Sequence, residues 1–175
     1  MEIYMIRHTA VDVPFGVCYG QTDVPLKESF EEEANIVKNN LKDLSFDACF
    51  TSPLSRCTKL ATYCGYSNAT YDNRLKELNF GDWEMQEFNR IYDPRLEEWF
   101  KDYLHVTATN GESFEQLHAR VAHFLDELKT KAYERVAIFA HGGVLIAAQV
   151  YAGLVEAKDG FQNLTPYGGM IKLEL

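Results

Sequence analysis

Four residues of this chain carry side chains suited to a single kind of chemistry: Arg7, His8, Arg56 and His141. A guanidinium presents a planar fork of N–H donors that matches a tetrahedral oxyanion, so two of them can clamp a phosphoryl group. A neutral imidazole is a nucleophile toward phosphorus, and covalent capture divides one difficult displacement into two easier ones. His141 is followed by Gly142-Gly143 at a helix start, whose free main-chain N–H groups also favour an anion. Cations around the equatorial oxygens spread the transition-state charge, so this chemistry needs no metal and no cofactor. A leaving alkoxide needs a proton, and Glu77, in the loop after Arg74-Leu75-Lys76, is the candidate donor, with Asp82 and Glu84 as rivals.

These residues are far apart in sequence, so strands must deliver them to one place. Glu2–Ile6 reads as a short strand ending at Arg7-His8. Asp47–Thr51 reads as a second strand, followed by a helix from about Leu54 to Tyr63 that carries Arg56 on its first turn and stops at Gly65. Arg135–Ala140 is a buried strand ending at His141, and the helix Val144–Gly153 follows. Ligands of open α/β sheets bind outside the carboxyl ends of the strands, which is where all four residues fall.

The remaining elements complete the pattern. Residues 9–28, with Pro14, Gly16, Gly20 and Pro25, form a long irregular loop of the kind that usually carries function. Ser29 opens a helix with Phe30, Ala34, Val37 and Leu41 on its apolar face; Ser29 and Glu32 match a capping box, and Glu31–Glu33 read as a solvated acidic helix start. Ala69–Tyr71 is a short third strand. Ser113 and Gln116 cap an amphipathic helix through Lys131, and Gly169–Leu175 supplies the last strand. Strands alternating with helices predict an α/β fold: a three-layer sandwich with a mostly parallel sheet, helices on both faces and a small helical cap insertion. The cap covers about residues 78–112, with short helices near Glu84–Arg90 and Pro94–Tyr103, inside one domain spanning 1–175.

Composition narrows the class further. The chain has 175 residues, 46% hydrophobic and 25% charged, which fits one globular domain and excludes disordered and collagen-like classes. A net charge of −9 without a basic cluster argues against nucleic acid and anionic membrane as partners. A small phosphorylated metabolite is the expected partner, and a focused cationic pocket can hold it despite that charge. No apolar stripe separates monomer from homodimer. Cys18, Cys49, Cys57 and Cys64 form no Cys-x-x-Cys pair and read as free thiols, which with the absence of a basic-then-apolar leader predicts a cytoplasmic location. His118 and His123 are five apart and do not share a helix face, so they and His105 read as surface residues. The aromatics Phe80, Trp83, Phe88, Tyr92, Trp99, Phe100 and Tyr103 read as packing for the cap, with stacking on a heteroaromatic base as the alternative.

Four motifs in order carry a resemblance over essentially the whole chain: Tyr4-Met5-Ile6-Arg7-His8, Thr51-Ser52-Pro53-Leu54-Ser55-Arg56, Leu75 to Glu84 (LKELNFGDWE), and Ala140-His141-Gly142-Gly143. The chain resembles the histidine phosphatase superfamily, the phosphoglycerate-mutase-like proteins. The resemblance implies that His8 is phosphorylated, that Arg7, Arg56 and His141 hold the phosphoryl group, and that Glu77 is acid and then base. Cys18 to Leu26 (CYGQTDVPL) is similar to the α-ribazole-5′-phosphate phosphatases of cobalamin biosynthesis, which implies that substrate. A broad-specificity sugar or nucleotide phosphatase, a phosphoglycerate-type mutase and a non-catalytic phosphate-ester binding module stand as alternatives. Thr9, Ala10, Val11, Pro14 and Leu60 depart from the family pattern; Gln21 is the candidate to replace the polar contact that Pro14 cannot make, and Gly142 is a candidate phosphate contact.

Overall fold

A computed structural model describes residues 1–175. Five strands form one sheet, β1 (Glu2–Arg7), β2 (Ala48–Thr51), β3 (Thr70–Tyr71), β4 (Arg135–Ala140) and β5 (Met170–Glu174), in the order β3-β2-β4-β1-β5. The first four are mutually parallel, and β5 closes the β1 edge antiparallel, with Ile3 opposite Leu173. The mostly parallel α/β architecture read from the alternation of elements is the one observed.

Alternation of side chains along β1 and β4 divides the core in two. Ile3 and Met5 of β1 and Val136, Ile138 and Ala140 of β4 face α4 (Phe114–Lys129) and α5 (Gly142–Tyr151). Ile6, Ala137 and Phe139 face the other way, onto α1 (Phe30–Leu41) and α2 (Ser55–Tyr63). Both faces are covered, so β4 is buried from Val136 to Ala140 and its sequence is an unbroken apolar run rather than an alternating one. β4 inserts between β1 and β2, which sets His141 beside the ends of both.

Helix α4 starts on the expected capping box, Ser113 Oγ accepting from Gln116 N–H while the Gln116 side chain accepts from Ser113 N–H. The box expected at Ser29 and Glu32 does not form. Ser29 Oγ donates to Glu33 Oε1 at 2.7 Å, and Glu33 Oε2 accepts from Ala10 N–H at 2.9 Å. Glu33 is therefore not a purely solvated helix-start acid: it ties the loop after His8 to α1.

Residues 78–112 hold short 3₁₀ turns at Gly81–Trp83 and Phe88–Arg90 and the helix α3 (Pro94–Lys101). Trp99 is its packing hub, with Trp83, Phe80, Phe100 and Tyr103 rings 5.4–6.2 Å away. The cap aromatics thus mainly pack on one another, as expected, while Tyr92 is exposed. No helix is long and apolar enough to cross a membrane.

Candidate active site

β1, β2 and β4 end side by side, and the four charged or nucleophilic residues meet at that crest. The His8 and His141 rings lie 5.2 Å apart, edge to face. Arg56, on the first turn of α2, donates its Nε–H to His141 Nδ1 at 3.3 Å. Arg7, His8, Glu77, Gly142 and Gly143 line one cavity of about 160 Å³, whose other walls are Tyr19, Leu78, Phe80, Leu117, Phe161 and Leu164. Arg56 and His141 form the layer directly beneath and are fully buried.

The tautomer of His8 follows from its neighbour. His8 Nδ1 lies 2.7 Å from the Thr9 carbonyl, which can only accept, so Nδ1 carries the proton and Nε2 keeps its lone pair. Burial, then the Arg56 and Arg7 cations, push the His8 pKa down to about 3. The ring is neutral at pH 7 and needs no base to expose its lone pair. His141 is held well below its ordinary value for the same reasons, burial first and then Arg56 and His8. Because Arg56 Nε–H can only donate, His141 Nδ1 is the acceptor and Nε2–H points to Ser52 Oγ, 2.7 Å away.

The guanidiniums lack counter-ions. Neither Arg7 nor Arg56 forms a salt bridge, although Arg7 is only 9% exposed and Arg56 0%. Arg56 is held by carbonyls instead: NH1 donates to Thr22 at 2.9 Å and NH2 to Gly20. Arg7 NH1 donates to the Thr165 carbonyl at 2.6 Å, and its Nε is buried without a partner. Two buried cations facing only neutral acceptors make a site of net positive charge, which an anion would complete.

Glu77 reaches this cavity on a loop fastened from three sides. Its main-chain carbonyl accepts from Arg120 NH2 at 2.9 Å and from Gln21 Nε2 at 3.0 Å. Its carboxylate accepts from Gly143 N–H at 3.1 Å and from Leu78 N–H at 2.8 Å. Gly143 has to be glycine for this approach: a Cβ there would stand 2.4 Å from Glu77 Oε1. A Cβ on Gly142 would stand 3.2 Å from the Arg7 guanidinium and 2.6 Å from Leu164.

The rival acids are placed elsewhere. Glu84 accepts from the main-chain N–H groups of Gln21 and Thr22 at 2.8 and 2.6 Å, from Phe80 N–H at 3.2 Å, and from the Thr22 hydroxyl. Asp82 accepts from Asn110 on the exposed side of the cap. Asp23 Oδ1 takes Ser55 N–H and Oγ, at the start of α2. The Gly20-Gln21-Thr22-Asp23 stretch therefore acts as a clamp joining Glu77, Glu84, Arg56 and α2; the Gln21 side chain is directed to the Glu77 carbonyl rather than lining the cavity.

Sequence reasoning did not find Tyr19, Arg120, Phe161, Leu164, Thr165 or Tyr167. Only Tyr19 sits in a motif, the Cys18 to Leu26 stretch, which did not single it out; all six reach the crest through long-range contacts. His105 pairs with Asp102 and His123 lies against Arg74, whereas His118, expected at the surface, is half-buried on α4 in a cavity it shares with His105, its Nε2 without a partner. All four cysteines are free, and burial pushes the thiols of Cys18, Cys49, Cys57 and Cys64 upward.

Known proteins resemble this chain in sequence and in fold. The family model described as "Histidine phosphatase superfamily (branch 1)" matches residues 3–174. The chain is 29% identical over 153 residues to the adenosylcobalamin/alpha-ribazole phosphatase of Escherichia coli K12, covering 83% of this chain and 75% of that protein. It is 31% identical over 169 residues to the uncharacterized phosphatase PhoE of Bacillus subtilis 168, covering 93% and 80%. The crystal structure of the alpha-ribazole phosphatase from Shigella flexneri superposes with a TM-score of 0.89 at 26% identity, covering 100% of this chain and 91% of that one. A match across nearly every residue, with Arg7, His8, Arg56 and His141 gathered at the strand ends, means that this chain belongs to the histidine phosphatase superfamily.

Proposed function

We propose that the chain is a phosphomonoesterase that works through a phosphohistidine on His8, with α-ribazole 5′-phosphate, or the related cobalamin phosphate, as substrate. The observation that carries the reaction class is the pair of buried guanidiniums without carboxylate partners, set around a neutral His8. In the first step the His8 Nε2 lone pair attacks phosphorus and the P–O bond to the alcohol breaks, while Glu77 passes a proton to the leaving oxygen. Water then attacks phosphorus and gives a proton to Glu77, and the P–N electron pair returns to His8. Arg7, which lines the cavity, has four N–H groups beyond its one bond to the Thr165 carbonyl, and Arg56 retains two beyond its three protein bonds. His141 offers the Nε2–H now shared with Ser52.

The leaving-group side of the cavity supports the substrate reading. Leu78, Phe80, Leu117, Phe161, Leu164 and Tyr19 carry no charge, and Arg7 is the only cation on the lining. An alcohol bearing its own carboxylate, as in phosphoglycerate, finds no second cation there, which disfavours a mutase. A neutral ribose carrying an aromatic base suits the surface. The names of the Escherichia coli and Shigella relatives point the same way.

The test is kcat/KM across a panel of monoesters without added metal. α-Ribazole 5′-phosphate is expected to exceed 3-phosphoglycerate and phosphoserine by about a hundredfold, since each unpaired carboxylate buried against apolar walls costs a few kcal/mol. A preference for 3-phosphoglycerate, or its isomerisation without phosphate release, would overturn the substrate assignment.

A further inference from the structure

The loop before β5 makes contacts that the phosphoryl chemistry above does not use. Pro166–Gly169 is a tight turn: Gly169 N–H donates to the Pro166 carbonyl at 2.9 Å, and Gly168 sits at φ +66°, the type II pattern that requires glycine in the third position. The turn is fastened to the nucleophile's own strand. Gly168 N–H donates to the His8 carbonyl at 3.0 Å, and Arg7 N–H donates to the Gly169 carbonyl at 2.9 Å. Displacing the turn would unpair the main chain on both sides of the Arg7–His8 bond.

Tyr167 occupies the second position of that turn. Its ring centroid lies 4.1 Å from the Arg7 guanidinium carbon, a stacked cation–π contact, and 5.5 Å from the His8 ring. Its hydroxyl lies 2.6 Å from the Tyr19 hydroxyl. Tyr19 comes from the long N-terminal loop, lines the cavity, and sets its own ring 5.6 Å from the Arg56 guanidinium carbon. Two distant loops are thus joined by one hydroxyl pair directly over the two guanidiniums.

Arg7 needs such support. Its guanidinium has a single protein hydrogen bond, from NH1 to the Thr165 carbonyl at 2.6 Å, and its Nε has none. One bond fixes an edge but leaves the plane free to turn about it. An aromatic face stacked at 4.1 Å fixes the plane. We propose that Tyr167, locked by the Tyr19 hydroxyl, is the positioning residue for Arg7, so that one loop grips the guanidinium by edge (Thr165) and by face (Tyr167) and presets it for an oxyanion. This rests on the reading that Arg7 receives the phosphoryl group.

The experiment uses p-nitrophenyl phosphate as substrate and inorganic phosphate as competing anion, with thermal melts alongside. Tyr167→Leu removes the ring; Tyr167→Phe and Tyr19→Phe keep both rings and break the hydroxyl pair. In Tyr167→Leu, KM and the phosphate inhibition constant are expected to rise together by about five- to thirtyfold, the range a desolvated cation–π contact supplies, with kcat within about threefold. Each Phe variant is expected to raise both constants about two- to fivefold, and the double variant no further, because the two share one hydrogen bond. A Tyr167→Leu protein that melts earlier but keeps the wild-type KM and phosphate inhibition constant would overturn the proposal, as would additive Phe variants. Wild-type protein that neither turns over p-nitrophenyl phosphate nor binds phosphate would overturn the phosphatase reading itself, and this proposal with it; wild-type turnover with insensitive variants would overturn only the role of Tyr167.

Discussion

Replacing Gly143 by alanine moves Glu77 without removing it. The added Cβ would lie 2.4 Å from Glu77 Oε1, 3.3 Å from Glu77 Cδ and 3.2 Å from Leu117. Ordinary contact between such atoms needs about 3.5 Å, so the carboxylate must retreat by about 1 Å. It is the far end of a flexible side chain and can do so without unfolding the protein. The helix itself is not weakened, since alanine is a better helix former than glycine. A misplacement of about 1 Å in a catalytic group costs about a hundredfold in rate. The loss should fall on esters that need a proton at the leaving oxygen. With alkyl phosphates kcat/KM is expected to drop about a hundredfold; with p-nitrophenyl phosphate, whose leaving group departs unaided, the drop should stay below about tenfold. The assay is a leaving-group series in which log kcat/KM is plotted against the pKa of the alcohol. Gly143→Ala and Glu77→Gln should both steepen that line, while Gly143→Ala melts no earlier than wild type. An equal loss on every ester would refute a proton-donor role for Glu77.

The buried histidines should shape acid stability. The unfolded His8 protonates as pH falls through about 6.5 whereas the folded one, held at about 3, does not. The unfolded state then binds more protons, so stability present above pH 6.5 drains away as the pH falls toward 3. Between pH 6.5 and 5 one such histidine accounts for about 1.5 kcal/mol. His8→Asn should lose about that much less than wild type over this interval in urea melts, and parallel curves would show that His8 is not held neutral. Gly20→Ala tests the clamp beneath Arg56. Its Cβ would stand 2.0 Å from the Leu78 carbonyl oxygen, a backbone atom that cannot step aside. A cost of about 1–3 kcal/mol, read as a melting point about 2–12 °C lower, is expected; an unchanged melt would mean that the loop adapts freely.

Much of the fold was legible because the local signals were strong. Arg135–Ala140 is an unbroken apolar run ending at a histidine and two glycines, and the strand has those bounds. Ser113 and Gln116 form their capping box because no other partner competes for them. Ser29 fails at the same task because its backbone, at φ −69° and ψ 2°, lacks the extended conformation that Ser113 has, and its hydroxyl donates to Glu33 instead. Arg7, His8, Arg56 and His141 could be grouped since each follows a strand of a sheet whose ligands lie at the strand ends. The long-range contacts could not be read this way. The Tyr19–Tyr167 hydroxyl pair spans 148 residues, the Glu84 clamp on Thr22 spans 62, and Arg120 reaches the Glu77 carbonyl across 43. Residue type and spacing say nothing about such pairs until the loops are folded. The same limit applies to the cavity's aromatics: two of its three, Tyr19 and Phe161, come from outside the cap where aromatic residues are densest.

The phosphohistidine itself is the most direct test. Wild-type protein would be mixed with ³²P-labelled substrate, quenched during turnover, and the label followed in acid and in alkali. A P–N bond to imidazole is lost in acid and kept in alkali, and peptide mapping is expected to place the label on His8 and to find none in His8→Ala. Label that survives acid, or that maps to Ser52 or Cys57, would contradict nucleophilic attack by His8.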